Sequence, residues 1–290
     1  MEVSAYAKIN LFLDVQSKRA DGYHNIVSIM QSIDWHDTLH ILLTEEQGVH
    51  LSCTEPLIPT NEKNTAYKAA TLFLQQIDYR GGVTIHIEKR IPHEAGLAGG
   101  SADAAATLKG LNQLFEAPLS QQELLALGVK IGADVPFCLQ GGTRLVTGIG
   151  EKLQPFFDMP NCYLVCAKPN EGISTPAAYG ELDRRYSDFN CYSGHTQQLD
   201  ALRSSFQNRR LSDISLGLYN IFEEPVSDHC PAVGALKRHL ESHGAIGTLM
   251  SGSGPSVFGI FEERKNAETA YRDLNRRGVL CRVCKPIQTI

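Results

Sequence analysis

The sequence predicts an α+β protein of two domains, at residues 1–158 and 159–290. The first observation behind this prediction is the order strand, glycine-rich loop, helix. Residues 83–88 alternate apolar and polar side chains as a half-buried strand does, and apolar residues recur at helical spacing over residues 102–115. The second observation is the order helix, strand, strand, helix, strand at the carboxyl end. That order is typical of a ferredoxin-like layer, which we expect for the second domain.

The remaining elements follow from apolar spacing and from residues that begin or end helices. The first strand has Ile9, Leu11 and Leu13 on one face. Ser120 and Glu123 form a capping-box pattern at the start of one helix. Strands are predicted at residues 4–15, 39–43, 49–53, 143–147, 163–167, 245–250, 256–261 and 279–284. Helices are predicted at residues 64–76, 120–131, 176–185, 197–206, 231–243 and 266–277. Apart from the helix at 197–206, the region 184–210 is polar and typical of loops.

Composition limits the function classes. The chain has 290 residues, 42% of them hydrophobic, which is enough for a large core. Its net charge of −5 and the lack of a basic block argue against nucleic acid as a partner. The amino terminus lacks a signal-peptide pattern and no apolar run is long enough for a membrane helix, so we expect a cytoplasmic protein without a membrane partner. Eight scattered cysteines are expected to be free thiols, and Cys281 and Cys284 fit a strand at least as well as a zinc site.

The glycine-rich loop at residues 91–101 is the best candidate for a binding site. Gly96, Gly99 and Gly100 allow positive φ and a close approach to a ligand, and the following helix presents free N–H groups to an anion. Ser101 and Asp103 add polar groups at this junction. A glycine-rich turn without a ligand is the alternative. The spacing matches neither the common P-loop nor the dinucleotide fingerprint, so a phosphate site here belongs to another class.

Two polar positions suggest catalysis, and each also has an ordinary explanation. Lys8 and Asn10 share one face of the first strand, which on its own favours a solvent-facing side. Asp134 follows a predicted helix end and a glycine between apolar residues. It is either a turn-capping aspartate, which the segment alone favours, or a general base with restricted solvation.

Two turns are further candidates. The turn at residues 20–24 displays Tyr23 and His24, which fits either a solvated loop or stacking on a planar base. The segment at residues 251–255, Ser-Gly-Ser-Gly-Pro, is either a hairpin turn or a second glycine loop that faces phosphate or substrate. Each of these signals is weak alone, and their order along the chain is more informative.

Taken in order, the motifs resemble those of the GHMP small-molecule kinases. They are A-K-I-N at residues 7–10, the glycine loop at 92–101, G-A-D-V-P at 132–136 and S-G-S-G-P at 251–255. The resemblance covers residues 4 to about 260. It implies a two-domain GHMP kinase fold, with an N-terminal α/β domain like that of ribosomal protein S5 and a ferredoxin-like α+β domain. Ala102 departs from the family pattern, because many members have a second serine there.

The resemblance implies transfer of the γ-phosphoryl group of ATP to a hydroxyl group, with Mg²⁺ between phosphate oxygens. It implies that Asp134 accepts or orients the hydroxyl proton, that Lys8 stabilises the developing alkoxide and that Asn10 donates to substrate. The R-A-D-G-Y-H segment at residues 19–24 is the most specific part of the resemblance. This segment implies that the small-molecule partner is a CDP-linked methylerythritol, a compound of isoprenoid precursor synthesis. The rival interpretations are a mevalonate- or homoserine-type kinase and a non-catalytic nucleotide-binding protein. The motifs predict no oligomeric state.

The resemblance also assigns the binding residues. Ser101 is the expected protein contact near Mg²⁺, although no metal ligand set is implied. The residues expected to bind ATP are Pro92, His93, Glu94, Ala95, Gly96, Leu97, Ala98, Gly99, Gly100, Ser101, Ala102 and, on the adenosine side, Asn64. The residues expected to bind the acceptor substrate are Asn10, Tyr23, His24, Thr175, Tyr179, Gly252 and Ser253.

Overall fold

The computed structural model describes residues 1–186 and 195–288. Two β-sheets carry the fold, one built mainly from the first half of the chain and one from the second. The strands are β1 (Glu2–Lys18), β2 (His24–Thr44), β3 (Gly48–Cys53), β4 (Gly82–Glu88), β5 (Thr143–Gly148), β6 (Lys152–Pro155), β7 (Tyr163–Lys168), β8 (Tyr219–Asn220), β9 (Gly247–Met250), β10 (Val257–Phe261) and β11 (Leu280–Cys284). The helices are α1 (Thr65–Gln76), α2 (Gly99–Leu114), α3 (Gln121–Ile131), α4 (Val135–Gln140), α5 (Thr175–Arg185), α6 (Thr196–Gln207), α7 (Glu223–His229), α8 (Ala232–Ser242) and α9 (Arg264–Arg276), with a short 3-10 helix at Leu211–Gly217.

The first sheet is organised around the long antiparallel pair β1 and β2. Its main path runs β3-β4-β2-β1-β8, and β5 also pairs with β2 and carries β6. Helices α1 and α2 pack on this sheet through apolar side chains, among them Phe73, Leu108 and Leu111. The register of β1 on β2 shifts between Tyr6 and Lys8, where β1 departs from regular pairing. That irregularity lies at the strand position that carries the candidate lysine.

The second sheet has the order β11-β7-β10-β9, and all of its pairs are antiparallel. Helices α8 and α9 pack on this sheet. Its strands and these two helices follow one another as strand, helix, strand, strand, helix, strand, with α5, α6, the 3-10 helix, β8 and α7 inserted between β7 and α8. This is the ferredoxin-like arrangement, so the fold prediction for the second half is confirmed. The C-x-x-C pair lies in β11, the strand that the sequence predicts there.

The two halves of the chain are joined by more than one connection. Strand β8 comes from the second half but pairs in parallel with Phe12 and Leu13 of β1. Near the end of the described chain, Pro286 bridges Ile33. The division at residues 158 and 159 therefore separates most of the two sheets, while β8 crosses it, and the exact boundary stays a prediction.

The largest differences from the predicted elements lie beside the cleft described below. Only residues 39–43 of β2 are predicted, whereas the strand runs from His24 to Thr44. Buried polar residues such as Gln31 and Asp37 interrupt the apolar alternation that would have revealed the rest. The short elements α4, α7, β6 and β8 are also missing from the prediction, because two to seven residues carry too little periodic signal.

Two local predictions, the capping box of α3 and the free cysteine thiols, are confirmed for the described residues. Ser120 and Glu123 form the complete capping box, and α3 ends at Gly132. Seven cysteines in the described residues are free thiols, while Cys191 lies outside these residues. Within the described ranges, every helix is too short or too polar to cross a membrane.

Candidate active site

One cleft of about 890 Å³ collects most of the residues that the sequence predicts to bind ligands. It lies where β1, the loop before α2, the start of α4 and the β9–β10 connection meet. The predicted residues that line it are Lys8, Asn10, Tyr23, His24, Asn64, Pro92, His93, Glu94, Ala95, Gly96, Ala98, Gly99, Gly100, Ser101, Asp134, Thr175, Tyr179, Gly252 and Ser253. Tertiary structure thus brings together motifs that are up to 245 residues apart in sequence, from Lys8 to Ser253.

Lys8 is buried and its ammonium group is held by several acceptors. The side chain is 4% exposed, and Nζ donates to Asn10 Oδ1 at 2.6 Å and to the carbonyl oxygen of Gly96 at 3.1 Å. The backbone N–H of Lys8 donates to the carbonyl oxygen of Leu97 at 3.1 Å. The solvent-facing interpretation of this strand face is therefore wrong. Strand β1 and the glycine loop together point a fixed positive charge into the cleft.

Asp134 lies 3.7 Å from Lys8, measured from Oδ2 to Nζ. It immediately precedes α4, but among the described residues its carboxylate makes no capping hydrogen bond. The turn-capping interpretation is therefore wrong for this aspartate. Its side chain is 30% exposed, so it reaches both Lys8 and the open cleft. At this separation, the two opposite charges attract each other.

Asn10 has a different environment from the one that the strand pattern suggests. Its Oδ1 accepts from Lys8, and its Nδ2 donates to Ser28 Oγ at 2.8 Å. Ser28 in turn donates to the carbonyl oxygen of Phe12 at 2.6 Å. This chain of hydrogen bonds orients Asn10 and, through it, Lys8. Direct contact between Asn10 and a substrate stays a prediction.

The glycine loop has the predicted position but not the predicted backbone. Positive φ occurs at Gly96 (71°), and also at Glu94 (49°) and Ala98 (57°). Gly99 and Gly100 do not have positive φ, contrary to the prediction, because α2 begins at Gly99 rather than at residue 102. Space is tight at these two positions instead: a Cβ on Gly99 would lie 3.0 Å from the side chain of Ile91, and one on Gly100 would lie 3.2 Å from Thr65 Oγ1, so neighbouring side chains would have to give way by a few tenths of an ångström. The first turn of α2 therefore forms part of the cleft wall itself.

Two residues of the predicted loop do not line the cleft. The side chains of Leu97 and Ala102 are 2% and 1% exposed and lie in the hydrophobic core. Their backbones are also engaged within the protein, since the N–H of Ala102 donates to the carbonyl oxygen of Ala98 and the carbonyl oxygen of Leu97 accepts from Lys8. Because residue 102 faces the core, the replacement of the usual serine by alanine leaves the cleft surface unchanged at this point.

The second glycine segment, residues 251–255, packs directly on the first. Ser251 Oγ donates to the carbonyl oxygen of Gly96 at 3.0 Å and accepts from the backbone N–H of Asn10 at 3.3 Å. A Cβ on Gly252 would lie 2.9 Å from that same Gly96 oxygen. Asn220, which the sequence does not reveal, donates from Nδ2 to the carbonyl oxygens of Met250 and Gly252. The segment is therefore more than a hairpin turn, since it helps to fix the first loop.

A buried ion-pair cluster next to the loop is likewise absent from the sequence predictions. Lys89 Nζ lies 2.5 Å from Asp37 Oδ2 and 2.6 Å from Asp103 Oδ2. The other oxygen of Asp37 accepts from the backbone N–H groups of Arg90 and Ile91. Burial raises the pKa of Asp103 to about 7, although the ion pair with Lys89 opposes this shift. The cluster ties β2 and α2 to the start of the loop. In the sequence, Lys89 and Arg90 are adjacent basic residues, a pattern typical of the protein surface, so the sequence does not indicate the buried cluster.

The aromatic candidates lie together at one end of the cleft. Tyr23 is 60% exposed, so its ring is accessible for stacking. The rings of His24 and Tyr179 are stacked with centroids 4.9 Å apart. His24 Nε2 lies 2.7 Å from Asp183 Oδ1, and Lys18 donates to the second oxygen of Asp183. Asp183 was not predicted, and it fixes the orientation of the His24 ring.

Two other predicted residues have clear structural partners. Asn64 caps α1, since its Oδ1 accepts from the backbone N–H of Ala66 at 2.8 Å and its Nδ2 donates to the carbonyl oxygen of Pro59. Its contact with adenosine stays a prediction. Thr175 and Ser253 hydroxyls are 3.0 Å apart and connect α5 to the second glycine segment.

The site combines a lysine–aspartate pair with a glycine loop that leads into a helix. The sheet that carries these groups is followed in the chain by a ferredoxin-like domain. Known proteins share this combination. Residues 64–142 match the GHMP kinases N terminal domain, and residues 201–280 match the GHMP kinases C terminal domain. The crystal structure of L. major mevalonate kinase in complex with R-mevalonate superposes over 99% of this chain and 96% of its own, with a TM-score of 0.77 and 16% identity, which shows a shared fold. The chain is a GHMP-type kinase.

Two further comparisons narrow the class. A 4-diphosphocytidyl-2-C-methyl-D-erythritol kinase of Caldicellulosiruptor bescii is 45% identical over 274 residues, which is 94% of each chain. A crystal structure of 4-(cytidine 5'-diphospho)-2C-methyl-D-erythritol kinase superposes with a TM-score of 0.82 at 32% identity and covers 99% of both chains. The chain belongs to the 4-diphosphocytidyl-2-C-methyl-D-erythritol kinase family and is therefore a phosphotransferase.

Proposed function

We propose that this protein transfers the γ-phosphoryl group of ATP to the tertiary 2-hydroxyl group of 4-diphosphocytidyl-2-C-methyl-D-erythritol. The observation that carries the proposal is the 3.7 Å separation of Lys8 Nζ and Asp134 Oδ2 inside the cleft bordered by the glycine loop. A carboxylate beside a fixed cation is suited to activate a hydroxyl group, which is a poor nucleophile. The names of the similar kinases supply the acceptor.

Asp134 acts on the hydroxyl group of the acceptor. As the hydroxyl oxygen forms its bond to the γ-phosphorus and the bond to the leaving ADP oxygen breaks, Asp134 accepts the hydroxyl proton or orients it. Lys8 stabilises the negative charge that develops on the attacking oxygen. Its hydrogen bonds to Asn10 and Gly96 hold the ammonium group in place, so little reorganisation is needed during the reaction.

The loop at residues 92–102 and the start of α2 bind the phosphates of ATP. The free backbone N–H groups and the positive end of the α2 dipole favour an anion here. Mg²⁺ prefers oxygen donors, and the cleft supplies the hydroxyl of Ser101 and the partly exposed carboxylate of Asp134. These donors fit the ion, which neutralises phosphate charge when it is bound with ATP. Asp103 also lines the cleft; Lys89 pairs with its Oδ2, whereas its buried Oδ1 has no hydrogen-bond partner among the described residues.

The cytidine part of the acceptor binds at the aromatic end of the cleft. The exposed ring of Tyr23 stacks on the base, while the His24–Tyr179 stack forms the adjoining wall. The hydroxyls of Thr175 and Ser253 and the backbone of Gly252 line the same cleft and bind the polyol.

A substrate panel tests the proposed activity. With ATP and Mg²⁺, the protein is expected to form ADP with the CDP-linked methylerythritol and to leave mevalonate and homoserine unchanged. Release of ADP is followed by a coupled assay, and ³¹P NMR identifies the phosphorylated product. Phosphorylation of mevalonate or homoserine with a comparable kcat/KM would contradict the acceptor assignment. Binding of both ligands without any ADP formation would instead favour a non-catalytic protein.

The variant Asp134→Asn tests the chemistry. It preserves the shape of the side chain but removes the base, so kcat is expected to fall by roughly 10²–10⁴-fold. ATP affinity measured by calorimetry is expected to stay near that of the parent protein. Asp213→Asn, on the 3-10 helix and outside the cleft lining, is the matched control. Near-normal turnover of Asp134→Asn would remove Asp134 from the mechanism.

A further inference from the structure

Two histidines and an aspartate converge on the helical side of the second domain, away from the cleft. His239 and His243 lie on and just after α8, and Asp273 lies on α9. Oδ2 of Asp273 is 3.7 Å from His239 Nε2 and 4.0 Å from His243 Nε2. Their three ligand atoms all lie within 4.8 Å of one another. None of these residues belongs to the lining of the cleft.

The two histidines are presented in a way that favours metal binding. They are four residues apart and their ring centroids are 4.4 Å apart, so both rings lie on one side of α8. Nδ1 of His243 lies 2.8 Å from the carbonyl oxygen of His239, which fixes Nδ1 as the donor and leaves the lone pair on Nε2. A hydrogen bond of this kind to the second ring nitrogen is the usual support of a metal-binding histidine.

His239 provides an independent observation at the same place. Its side chain is 11% exposed, and Nε2 is buried with no hydrogen-bond partner among the described residues. A buried polar atom without a partner costs free energy, which a ligand at this position would recover.

Asp273 is also oriented from outside the cluster. Arg277, one turn further along the chain, donates to its Oδ2 at 3.0 Å. Carboxylates that bind metals commonly accept such an additional hydrogen bond. A carboxylate oxygen has lone pairs for both Arg277 and an ion.

We propose that His239, His243 and Asp273 form a binding site for a divalent transition-metal ion of the zinc class. Zinc bonds to histidine nitrogen and carboxylate oxygen are about 2.0–2.2 Å long, so neighbouring ligand atoms around a tetrahedral ion lie about 3.4 Å apart. The cluster reaches that geometry if Asp273 Oδ2 moves closer to the two Nε2 atoms by about 0.3 and 0.6 Å and if side-chain rotation closes the widest separation, which is at most 4.8 Å, by up to about 1.4 Å. Water is then the fourth ligand. Two nitrogen donors favour zinc over magnesium, which prefers oxygen. The bound ion would connect α8 to α9 and stabilise the second domain.

The test uses the tag-free full chain, stripped with a chelator and free of nucleotide. Addition of Zn²⁺ is expected to raise the Tm by a few degrees once the ion is in large excess over Kd, while Mg²⁺ is not. Co²⁺, a spectroscopic substitute for zinc, is expected to give visible absorption bands of a bound low-coordinate ion. Neither readout depends on kinase activity.

Substitutions locate the ion. His243→Gln and Asp273→Asn are each expected to weaken the affinity for Zn²⁺ and Co²⁺ by about tenfold or more, since loss of even a supporting group costs that much. His40→Gln, in another stacked histidine pair with His86, is the control and is expected to bind both ions as the parent does. The Tm of each variant without metal shows that it folds. Absence of a Zn²⁺-dependent Tm shift and of cobalt bands in the parent, or equal affinities in His243→Gln and the parent, would overturn the proposal.

Discussion

Replacing Gly96 by alanine is expected to disable the cleft, because a side chain at this position meets the backbone of the second glycine segment. Gly96 has φ of 71°, and a Cβ there would lie 2.0 Å from the carbonyl oxygen of Ser251. Contacts of Cβ below 3.0 Å essentially do not occur, so the loop and the segment must separate by about 1 Å, and a displacement of this size at a catalytic group costs roughly 10²-fold in rate. The displaced carbonyl of Gly96 is the group that Lys8 and Ser251 both bind.

Gly278→Ala is the matched control for the backbone cost. Gly278 has φ of 75°, almost the same as Gly96, but no atom of residues 1–186 and 195–288 lies within 4 Å of the point that the alanine methyl group would occupy. Both variants therefore lose roughly 1–2 kcal/mol of unfolding free energy from the left-handed conformation alone. Only Gly96→Ala adds the contact with Ser251.

Steady-state kinetics and urea unfolding separate the two contributions. Gly278→Ala is expected to keep the parent kcat/KM for both substrates at a slightly lower urea midpoint. Gly96→Ala is expected to lose about 10²-fold in kcat/KM and more stability than the control. If Gly96→Ala stayed within twofold of Gly278→Ala in kcat/KM, the close packing of the two glycine segments would not be what positions Lys8.

Three further predictions concern recognition, pH dependence and a helix cap. Tyr23→Ala is expected to raise the KM for the cytidine substrate far more than the KM for ATP, and equal effects would exclude the ring from base recognition. Burial raises the pKa of Asp103 from 3.8 to about 7. Between these two pH values the folded state therefore binds more protons than the unfolded state. As a result, the contribution of Asp103 to the free energy of unfolding falls as the pH rises from about 4 to 7. Urea unfolding of Asp103→Asn is expected to show a shallower fall over that range than the parent, and an unchanged slope would contradict the raised pKa. Ser120→Ala removes the capping box of α3 and is expected to lower the free energy of unfolding by about 1 kcal/mol. Urea unfolding measures this change, and an unchanged urea midpoint would contradict the prediction.

The predictions from sequence succeed where structure depends on neighbours along the chain. The capping box at Ser120, the strand before the glycine loop and the ferredoxin-like order all depend on local spacing, which the sequence displays directly. The start of α2 is misplaced by three residues because Gly99 and Gly100 are poor helix formers. The side chains of Ile91 and Thr65 leave little room for a Cβ there, and these contacts are tertiary.

The cluster of Asp37, Lys89 and Asp103 shows why part of the site escaped prediction. Asp37 lies in β2, 52 residues before Lys89, and the sequence between them contains no signal that the fold places the two side chains in contact. A charged residue in a polar stretch is usually exposed, so sequence alone favours a solvated Lys89. The same holds for Asp183 and Asn220, whose roles depend on partners far away in the chain.

By itself, the sequence determined which chemical groups are available: a lysine on a strand face, an aspartate after a helix, two glycine segments and a turn with exposed aromatic character. These follow from residue type and local periodicity. Only the tertiary structure decided that Lys8 is buried rather than solvated, that Asp134 lies 3.7 Å from it and that both glycine segments share one wall. The reason is physical. Local propensity sets the elements, whereas the meeting of groups more than a hundred residues apart depends on sheet pairing and core packing across the whole chain.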